Sequence, residues 1–268
     1  MQRAVAIIPA RYNSTRFPGK PLALLRNKPV IQHVFEKVKN ARLVDTVLVA
    51  TDDERIYNIV SDFGGKAVMT SERHSTGTDR VAEAAKGIEC DIVINIQGDE
   101  PFIKPEMVDD LVNMLACDER ALMGTLAKRI TDSKEIFSPD VVKVVMDNEG
   151  FAMYFSRAPI PWHRDEFSKM QDAGCRMRDE ELKRNDAMFT ANKIEVYKHI
   201  GIYGYRKDTL MNLSLMEENE LEKLEKLEQL RALASGIKIK VKETDYDTFG
   251  IDTVEDLRNA EEYLIRNG

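Results

Sequence analysis

The sequence predicts an α/β fold, a mostly parallel mixed sheet flanked by helices. Three observations predict it. Short apolar runs rich in Val and Ile recur at 4–8, 46–50 and 92–96. Segments with apolar residues at three- and four-residue spacing lie between those runs. The repeated alternation of strand and helix is the pattern of a parallel sheet covered on both faces. With 268 residues and 43% hydrophobic content, the chain is read as a single domain, 1–268, carrying a charged insertion near 166–196.

The elements follow in order. Ala4 to Ile8 is an unbroken apolar run expected to stop at Pro9, which has no ladder donor. Val30, Ile31, Val34, Phe35 and Val38 form one helical face. Thr46 to Ala50 is the second buried strand, and Thr51, Asp52 and Asp53 supply a cap for a helix carried by Ile56, Ile59 and Val60. Gly64 and Gly65 end that helix, and Lys66 to Met69 is a short strand. After a polar loop, Thr70 to Thr78, the run Val81 to Lys86 reads as helix and Ile92 to Ile96 as strand. Strands are expected at 121–127 and 141–146, the latter paired with Phe151 to Phe155 through an Asp-Asn-Glu-Gly turn. His199 to Arg206 alternates as a strand, and Ile237 to Val241 is another. Leucines at 221, 224, 227, 230 and 233 predict one helix over 221–234. Thr253 opens the last helix, with Asp256 three positions on in a capping-box arrangement.

Composition narrows the function. The net charge is −7, so a general nucleic-acid binder is not expected. No apolar run approaches the ~20 residues needed to cross a bilayer, and no secretory leader is expected, so no membrane insertion is assigned. Cys90, Cys117 and Cys175 fit no zinc or redox spacing and are expected as reduced thiols, which places the chain in the cytoplasm.

Three polar stretches carry candidate chemistry. Just past the first strand, Arg11, Arg16 and Lys20 stand among Asn13, Ser14, Thr15 and Gly19. Cations and backbone N–H groups beyond a strand's carboxyl end suit a polyanion such as a nucleoside triphosphate. The stretch is not a Walker A loop, because Gly19-Lys20 is followed by Pro21. Taken alone, it fits a solvated basic loop equally well. After the strand at 92–96 come Gln97, Gly98, Asp99 and Glu100. A carboxylate there suits a hard cation, and an ordinary acidic turn is the competing reading. Asp252, before the last helix, reads by itself as a helix cap.

The stretch Pro9-Ala-Arg-Tyr-Asn-Ser-Thr-Arg-Phe-Pro-Gly-Lys-Pro21 resembles the signature loop of the sugar cytidylyltransferases, and within them the 3-deoxy-manno-octulosonate (Kdo) cytidylyltransferase family. Further motifs extend the resemblance along nearly the whole chain: Gln-Gly-Asp-Glu-Pro at 97–101, Thr-Gly-Thr-Asp-Arg at 76–80, and Gly-Ile-Asp-Thr at 250–253. On the sugar side they are Tyr-Phe-Ser-Arg at 154–157, Pro-Trp-His-Arg-Asp at 161–165, the run from His199 to Tyr205, and Leu-Glu-Gln-Leu-Arg at 227–231. The resemblance implies a nucleotide-diphospho-sugar transferase fold, CTP as donor and Mg2+ as cofactor. It implies that Pro9, Ala10, Arg11, Arg16, Lys20, Thr70, Ser71, Gly77, Arg80 and Gln97 meet CTP, with Arg73 a weaker candidate. Asp99 and Asp252 are by resemblance the metal carboxylates, with Glu100 supporting the turn, and Arg11, Arg16, Lys20, Asp99 and Asp252 form the catalytic set. Arg157 and Arg164 are expected on the carboxylate of a 2-keto-3-deoxy sugar acid, and His199, Tyr203, Glu228 and Gln229 around its hydroxyls. The implied reaction gives CMP-Kdo and pyrophosphate for lipopolysaccharide assembly, in a homodimer. A sibling enzyme for sialic acid or 8-amino-Kdo, and a non-catalytic nucleotide-binding protein on the same fold, are the alternatives. The charged insertion departs from the family pattern.

Overall fold

In the computed structural model, which describes residues 2–13, 16–74, 76–164, 167 and 195–267, the first strand is buried at every position. This strand, β1 (Ala4–Ala10), lies between two parallel neighbours, β4 (Thr46–Thr51) and β6 (Ile92–Asn95), and β5 (Ala67–Met69) continues the parallel order beyond β4. A strand flanked on both sides and covered on both faces has no use for polar side chains, hence the unbroken run. The strand passes through Pro9 instead of stopping there. The carbonyl of Ile7 accepts from Ile96 N–H, so the backbone groups of alternate residues Ile7 and Pro9 point to the β6 side. Pairing with β6 ends at Ile7 opposite Asn95, so the donor that Pro9 lacks is not required there.

The contacts divide the chain into two units: 1–124 with 201–216 and 246–268, and 125–200 with 217–245. In the first unit the order β6-β1-β4-β5 runs outward from β1 and then returns to its other side. Such a reversal creates a crevice at the carboxyl ends of the two strands flanking it, here β1 and β6. The last residues of β10 (Tyr197–Arg206) pair antiparallel with β6. Helix α1 (Val30–Lys39) buries the five apolar residues of its predicted face. Helix α2 (Glu54–Asp62) is capped by Asp53, whose carboxylate accepts from Arg55 N–H at 2.9 Å. Helix α3 (Gly77–Lys86) begins four residues earlier than the apolar run suggested, because Thr76 caps it by accepting from Asp79 N–H at 3.1 Å. Helix α4 (Pro105–Cys117) and helix α6 (Lys207–Leu213) also belong to this unit, as does the small hairpin of β2 (Leu24–Leu25) and β3 (Lys28–Pro29). The last helix, α9 (Val254–Asn267), closes a separate apolar cluster in which Ala260 packs with Leu25, Val30, Phe102 and Ile251.

The second unit is built on antiparallel pairing. Strand β8 (Lys143–Met146) forms the expected hairpin with β9 (Ala152–Ser156) and also pairs with the start of β10. Strand β7 (Met123–Arg129) continues into this unit, where Thr244 N–H, just after β11 (Ile239–Glu243), donates to Ala127 at 2.9 Å. A short helix α5 (Ser133–Phe137) contributes Ile136 to a cluster with Ile130, Phe167 and Val196.

A further expectation is overturned. The leucine-rich stretch is two short helices, α7 (Glu220–Glu225) and α8 (Gln229–Ala234), separated by Lys226 at φ 54° in the left-handed region. The periodicity explains the break. Residues three apart on a 3.6-residue helix drift by about 60° per step, so five such leucines cannot share one buried stripe. Leu221 and Leu224 are exposed while Leu227 and Leu230 are buried. The turn is braced by a buried pair in which Arg231 donates to Glu222 at 2.8 and 2.6 Å.

Residues 168–194, most of the charged insertion, lie outside the described residues, as do Ser14 and Thr15 of the opening loop. Among the described residues no helix is long and apolar enough to cross a membrane.

Candidate functional site

A cavity of about 510 Å³ opens in the first unit, lined by residues that follow β1 and β6 and by the start of α3. Pro9, Ala10 and Arg11 come from the end of β1, Gln97, Gly98 and Asp99 from the segment after β6. These two strand ends approach closely enough to dictate a glycine: a Cβ on Gly98 would sit 2.9 Å from the Pro9 carbonyl oxygen. A second glycine shapes the opening loop. Gly19 is left-handed, φ 73°, and its N–H donates to Tyr12 at 2.8 Å. That bond ties off the loop and delivers Lys20 into a single 3-10 turn over Lys20–Leu22.

Lys20 is the centre of the site. Its ammonium donates to Asp99 and, at 3.0 Å, to Asp252 Oδ1, while Arg16 donates to Asp252 Oδ2 at 2.9 Å. Burial alone would lower the Lys20 pKa, but Asp99 first and then Asp252 outweigh it and hold it above the usual value. The two carboxylates, 153 residues apart in sequence, thus meet on one cation. Asp252 is free for this role because it does not cap α9. Thr253 does so, accepting from Asp256 N–H at 3.1 Å, while the Asp256 carboxylate accepts in return from the N–H groups of Asp252 and Thr253 at 3.0 and 2.8 Å. Arg11 lines the cavity, is exposed, and pairs with no carboxylate among the described residues.

The donor set suits a small hard cation that takes one or two carboxylates and completes its shell with phosphate oxygens and water. Among the described residues no three His, Cys, Asp or Glu side chains converge as a metal cage, so such an ion would be shared with substrate. Glu100 does not line the cavity. It accepts from the Thr248 hydroxyl, and burial pushes its pKa up to about 7.

The loop before α3 forms another wall. Thr76 and Gly77 line the cavity at the helix N-terminus, where backbone N–H groups favour an anion. Arg80 also lines it, but its guanidinium is almost fully buried and donates to Thr70 Oγ1 at 2.5 Å and Asp52 at 2.6 Å. Its charge is therefore committed to bracing the loop. Thr70 is buried beneath that brace, and the Ser71 N–H donates to Glu83 at 2.9 Å, so neither lines the cavity. The exposed Arg73 does not line it either, and its N–H donates to Ser71 Oγ at 3.2 Å.

Of the sugar-side residues, Tyr203 belongs to the first unit and the others to the second. Arg157 is held at the end of β9. Its Nε donates to the Glu225 carbonyl and its Nη1 to the Pro139 carbonyl, both at 2.8 Å. Its own carbonyl accepts from the fully buried Lys143 ammonium, which also donates to Ser138 and Val141. Arg164 is exposed. His199 shares a hydrogen bond of 2.9 Å with Thr125 Oγ1 and meets Phe155 edge-on, and burial pushes its pKa down to about 3. A neutral imidazole suits hydroxyl recognition better than carboxylate binding. Glu228 and Gln229 open α8. Gln229 is 4% exposed and its amide nitrogen is buried with no hydrogen-bond partner among the described residues, a position that a ligand acceptor would satisfy.

His74, Thr76, Pro21 and Gly98 also line the cavity, and sequence reasoning did not select them as ligand-facing. His74 lies inside the polar loop Thr70 to Thr78, but nothing in its spacing marks it as ligand-facing. Its partner Glu83 lies nine residues on, and only the folded loop joins them.

Along nearly its whole length the chain is similar to proteins of one family. A family model described as Cytidylyltransferase matches residues 5–239. A 3-deoxy-manno-octulosonate cytidylyltransferase of Thermodesulfovibrio yellowstonii is 51% identical over 97% of each chain, and one of Geotalea uraniireducens 49% identical over 98% of this chain and 99% of that one. A solved CMP:2-keto-3-deoxy-manno-octonic acid synthetase complexed with CTP superposes with a TM-score of 0.86 at 39% identity, covering 99% of this chain and all of that one. A 4-diphosphocytidyl-2C-methyl-D-erythritol synthase of Anaerococcus prevotii, 16% identical with a TM-score of 0.60 over 99% of this chain and 97% of that one, shares the fold. With a crevice at the β1/β6 reversal, two carboxylates gathered on Lys20, and relatives matching along nearly its full length, this chain belongs to the cytidylyltransferase family and, within it, to the 3-deoxy-manno-octulosonate cytidylyltransferases.

Proposed function

We propose that this chain transfers a cytidylyl group from CTP to the anomeric hydroxyl of 3-deoxy-manno-octulosonate, giving CMP-Kdo and pyrophosphate. The observation that carries this reading is the cavity in which Arg11, Arg16 and Lys20 face Asp99 and Asp252. The sugar oxygen forms a bond to the α-phosphorus as the bond to the pyrophosphate oxygen breaks, and the hydroxyl proton passes to solvent. Asp99 and Asp252 would hold magnesium, which when bound supplies charge neutralisation for the triphosphate. Arg11 and Arg16 stabilise the phosphates and the departing pyrophosphate. Lys20 holds the two carboxylates together and, with a metal between them, would be free to donate to a phosphate oxygen. The N-terminus of α3, with Gly77, Pro9 and Gln97, borders the nucleoside. On the sugar side, Arg157 and Arg164 meet the carboxylate, and the neutral His199, Tyr203, Glu228 and Gln229 read hydroxyls.

The same reading places the step in lipopolysaccharide assembly, in the cytoplasm, by a homodimer. Sedimentation of the purified chain tests the last of these. Pyrophosphate release from CTP and magnesium, measured with Kdo, 8-amino-Kdo and sialic acid, tests the chemistry. The reading expects release with Kdo at the highest kcat/KM. Release only with one of the other acids would assign the chain to that substrate.

A further inference from the structure

The opening loop is closed at its neck by a stack of two side chains. Gly19 N–H donates to the Tyr12 carbonyl at 2.8 Å, which joins the two ends of the loop. The Tyr12 ring lies so close to Gly19 that a Cβ there would come within 3.1 Å of its Cε2 and Cζ atoms. Over the same ring stands the guanidinium of Arg55, from the first turn of α2, 3.3 Å from the centroid. A cation at that distance is attracted by the electron-rich face of the ring. Arg55 is itself aimed. Its Nε and Nη2 donate to the two oxygens of Asp53 at 3.0 and 2.6 Å, and the same carboxylate caps α2. A planar guanidinium gripped through both arms of its fork has little rotational freedom left.

Tyr12 and Arg55 do not line the cavity, yet the residues on either side of the neck do. Arg11 precedes Tyr12, and Lys20 follows Gly19. Arg11 is exposed and pairs with no carboxylate among the described residues, so its approach to the cavity is set by the backbone at Tyr12. Lys20 is held by Asp99 and Asp252, and once those carboxylates take a metal its place depends on the neck as well. A polyanion binds tightly where its cations already stand in position. A neck that opens part of the time lowers the apparent affinity in proportion to the closed fraction.

We propose that Tyr12 and Arg55 are positioning residues for the triphosphate: their stack, aimed by Asp53, keeps the neck of the loop shut and so fixes Arg11 and Lys20 for the β- and γ-phosphates. Neither touches the nucleotide. The inference rests on the CTP reading above and adds the first turn of α2 to the parts that hold the triphosphate in place.

Isothermal titration of the full chain with CTP and with CMP tests this, since the ratio of the two affinities isolates the β- and γ-phosphates. An ionic strength of about 0.3 M screens charges outside the cavity, and thermal melting verifies folding. Tyr12→Leu removes the ring and should cut the CTP-to-CMP affinity ratio by about 3- to 10-fold. Tyr12→Phe keeps the ring and should retain the ratio. Arg55→Ala alters an exposed side chain and should cut the ratio by about 2- to 5-fold. It decides the matter alone where Tyr12→Leu does not fold. An unchanged ratio in either folded variant, with CTP and CMP affinities lowered together or not at all, overturns the inference while leaving CTP as donor intact. So does a loss in Tyr12→Phe as large as that in Tyr12→Leu, which would place the effect in the hydroxyl. Failure of the unaltered chain to bind CTP ahead of CMP overturns the triphosphate assignment and this inference with it.

Discussion

Replacing Lys20 by Met should destabilise the metal-free protein and make it more responsive to magnesium. The Lys20 side chain is 12% exposed, and its ammonium sits between Asp99, 25% exposed, and Asp252, 46% exposed. Two charge-assisted hydrogen bonds are removed, each worth about 1.5–3 kcal/mol when well shielded. Water reaches both carboxylates, and Arg16 still holds one oxygen of Asp252, so most of that is recovered. A net loss of about 1–2 kcal/mol remains, which for a chain of this size corresponds to a melting temperature lower by about 2–8 °C. Magnesium then binds a pair of carboxylates with no resident counter-ion to displace, and stabilises the folded state by mass action. Differential scanning calorimetry without nucleotide, at zero and millimolar magnesium, reads both effects. The variant should melt lower than the unaltered chain without metal and gain more from metal. Equal melting temperatures and equal magnesium responses would refute the placement of Lys20 between two metal-binding carboxylates.

Three other perturbations separate the parts of the site. Gly98→Ala forces a methyl group against the Pro9 carbonyl and should cost about 1–3 kcal/mol of stability and weaken CTP binding, read by urea unfolding and titration calorimetry. Glu100→Gln tests the buried carboxyl: with its pKa pushed up to about 7, the folded chain binds more protons than the unfolded one from about pH 4.5 to 7, so wild-type stability falls as pH rises through that window. The variant lacks this loss and should gain on the unaltered chain by on the order of 2 kcal/mol between pH 5 and pH 8, measured by denaturant unfolding. Arg157→Lys should lower the melting temperature as well as sugar affinity, because the guanidinium bridges the Glu225 and Pro139 carbonyls, and Arg164→Lys should lower sugar affinity, read by titration against the sugar.

The parallel half of the fold was legible because its central strands, β1, β4 and β6, are largely buried and so show as unbroken apolar runs. The boundaries were not, where backbone geometry decides them. Pro9 stays in β1 because β6 has already parted from it, a fact held in the neighbouring strand. Thr76 starts α3 ahead of any apolar signal, and the leucine run breaks at Lys226 because three-residue spacing does not follow a helix. At the site, the triphosphate-side residues were visible as motifs, and the structure gathers Arg11, Arg16, Lys20, Asp99 and Asp252 in one cavity. Sequence could not separate cap from ligand at Asp252, since the answer lies in Asp256 reaching back to Thr253. It could not see that Arg80 spends its hydrogen bonds on Asp52 and Thr70, or that Glu83 reaches His74, because these pairs depend on how the loop closes.

The most direct test of the whole account is a phosphorus NMR time course of the purified chain with CTP, magnesium and Kdo, run beside Asp99→Asn. The account predicts that the three CTP resonances give way to pyrophosphate and a phosphodiester in equimolar amounts, and that the folded Asp99→Asn protein leaves CTP intact. Persistent CTP in the presence of the unaltered, CTP-binding chain would contradict it and leave a nucleotide-binding protein without this chemistry, and full turnover by Asp99→Asn would contradict the role given to the two carboxylates.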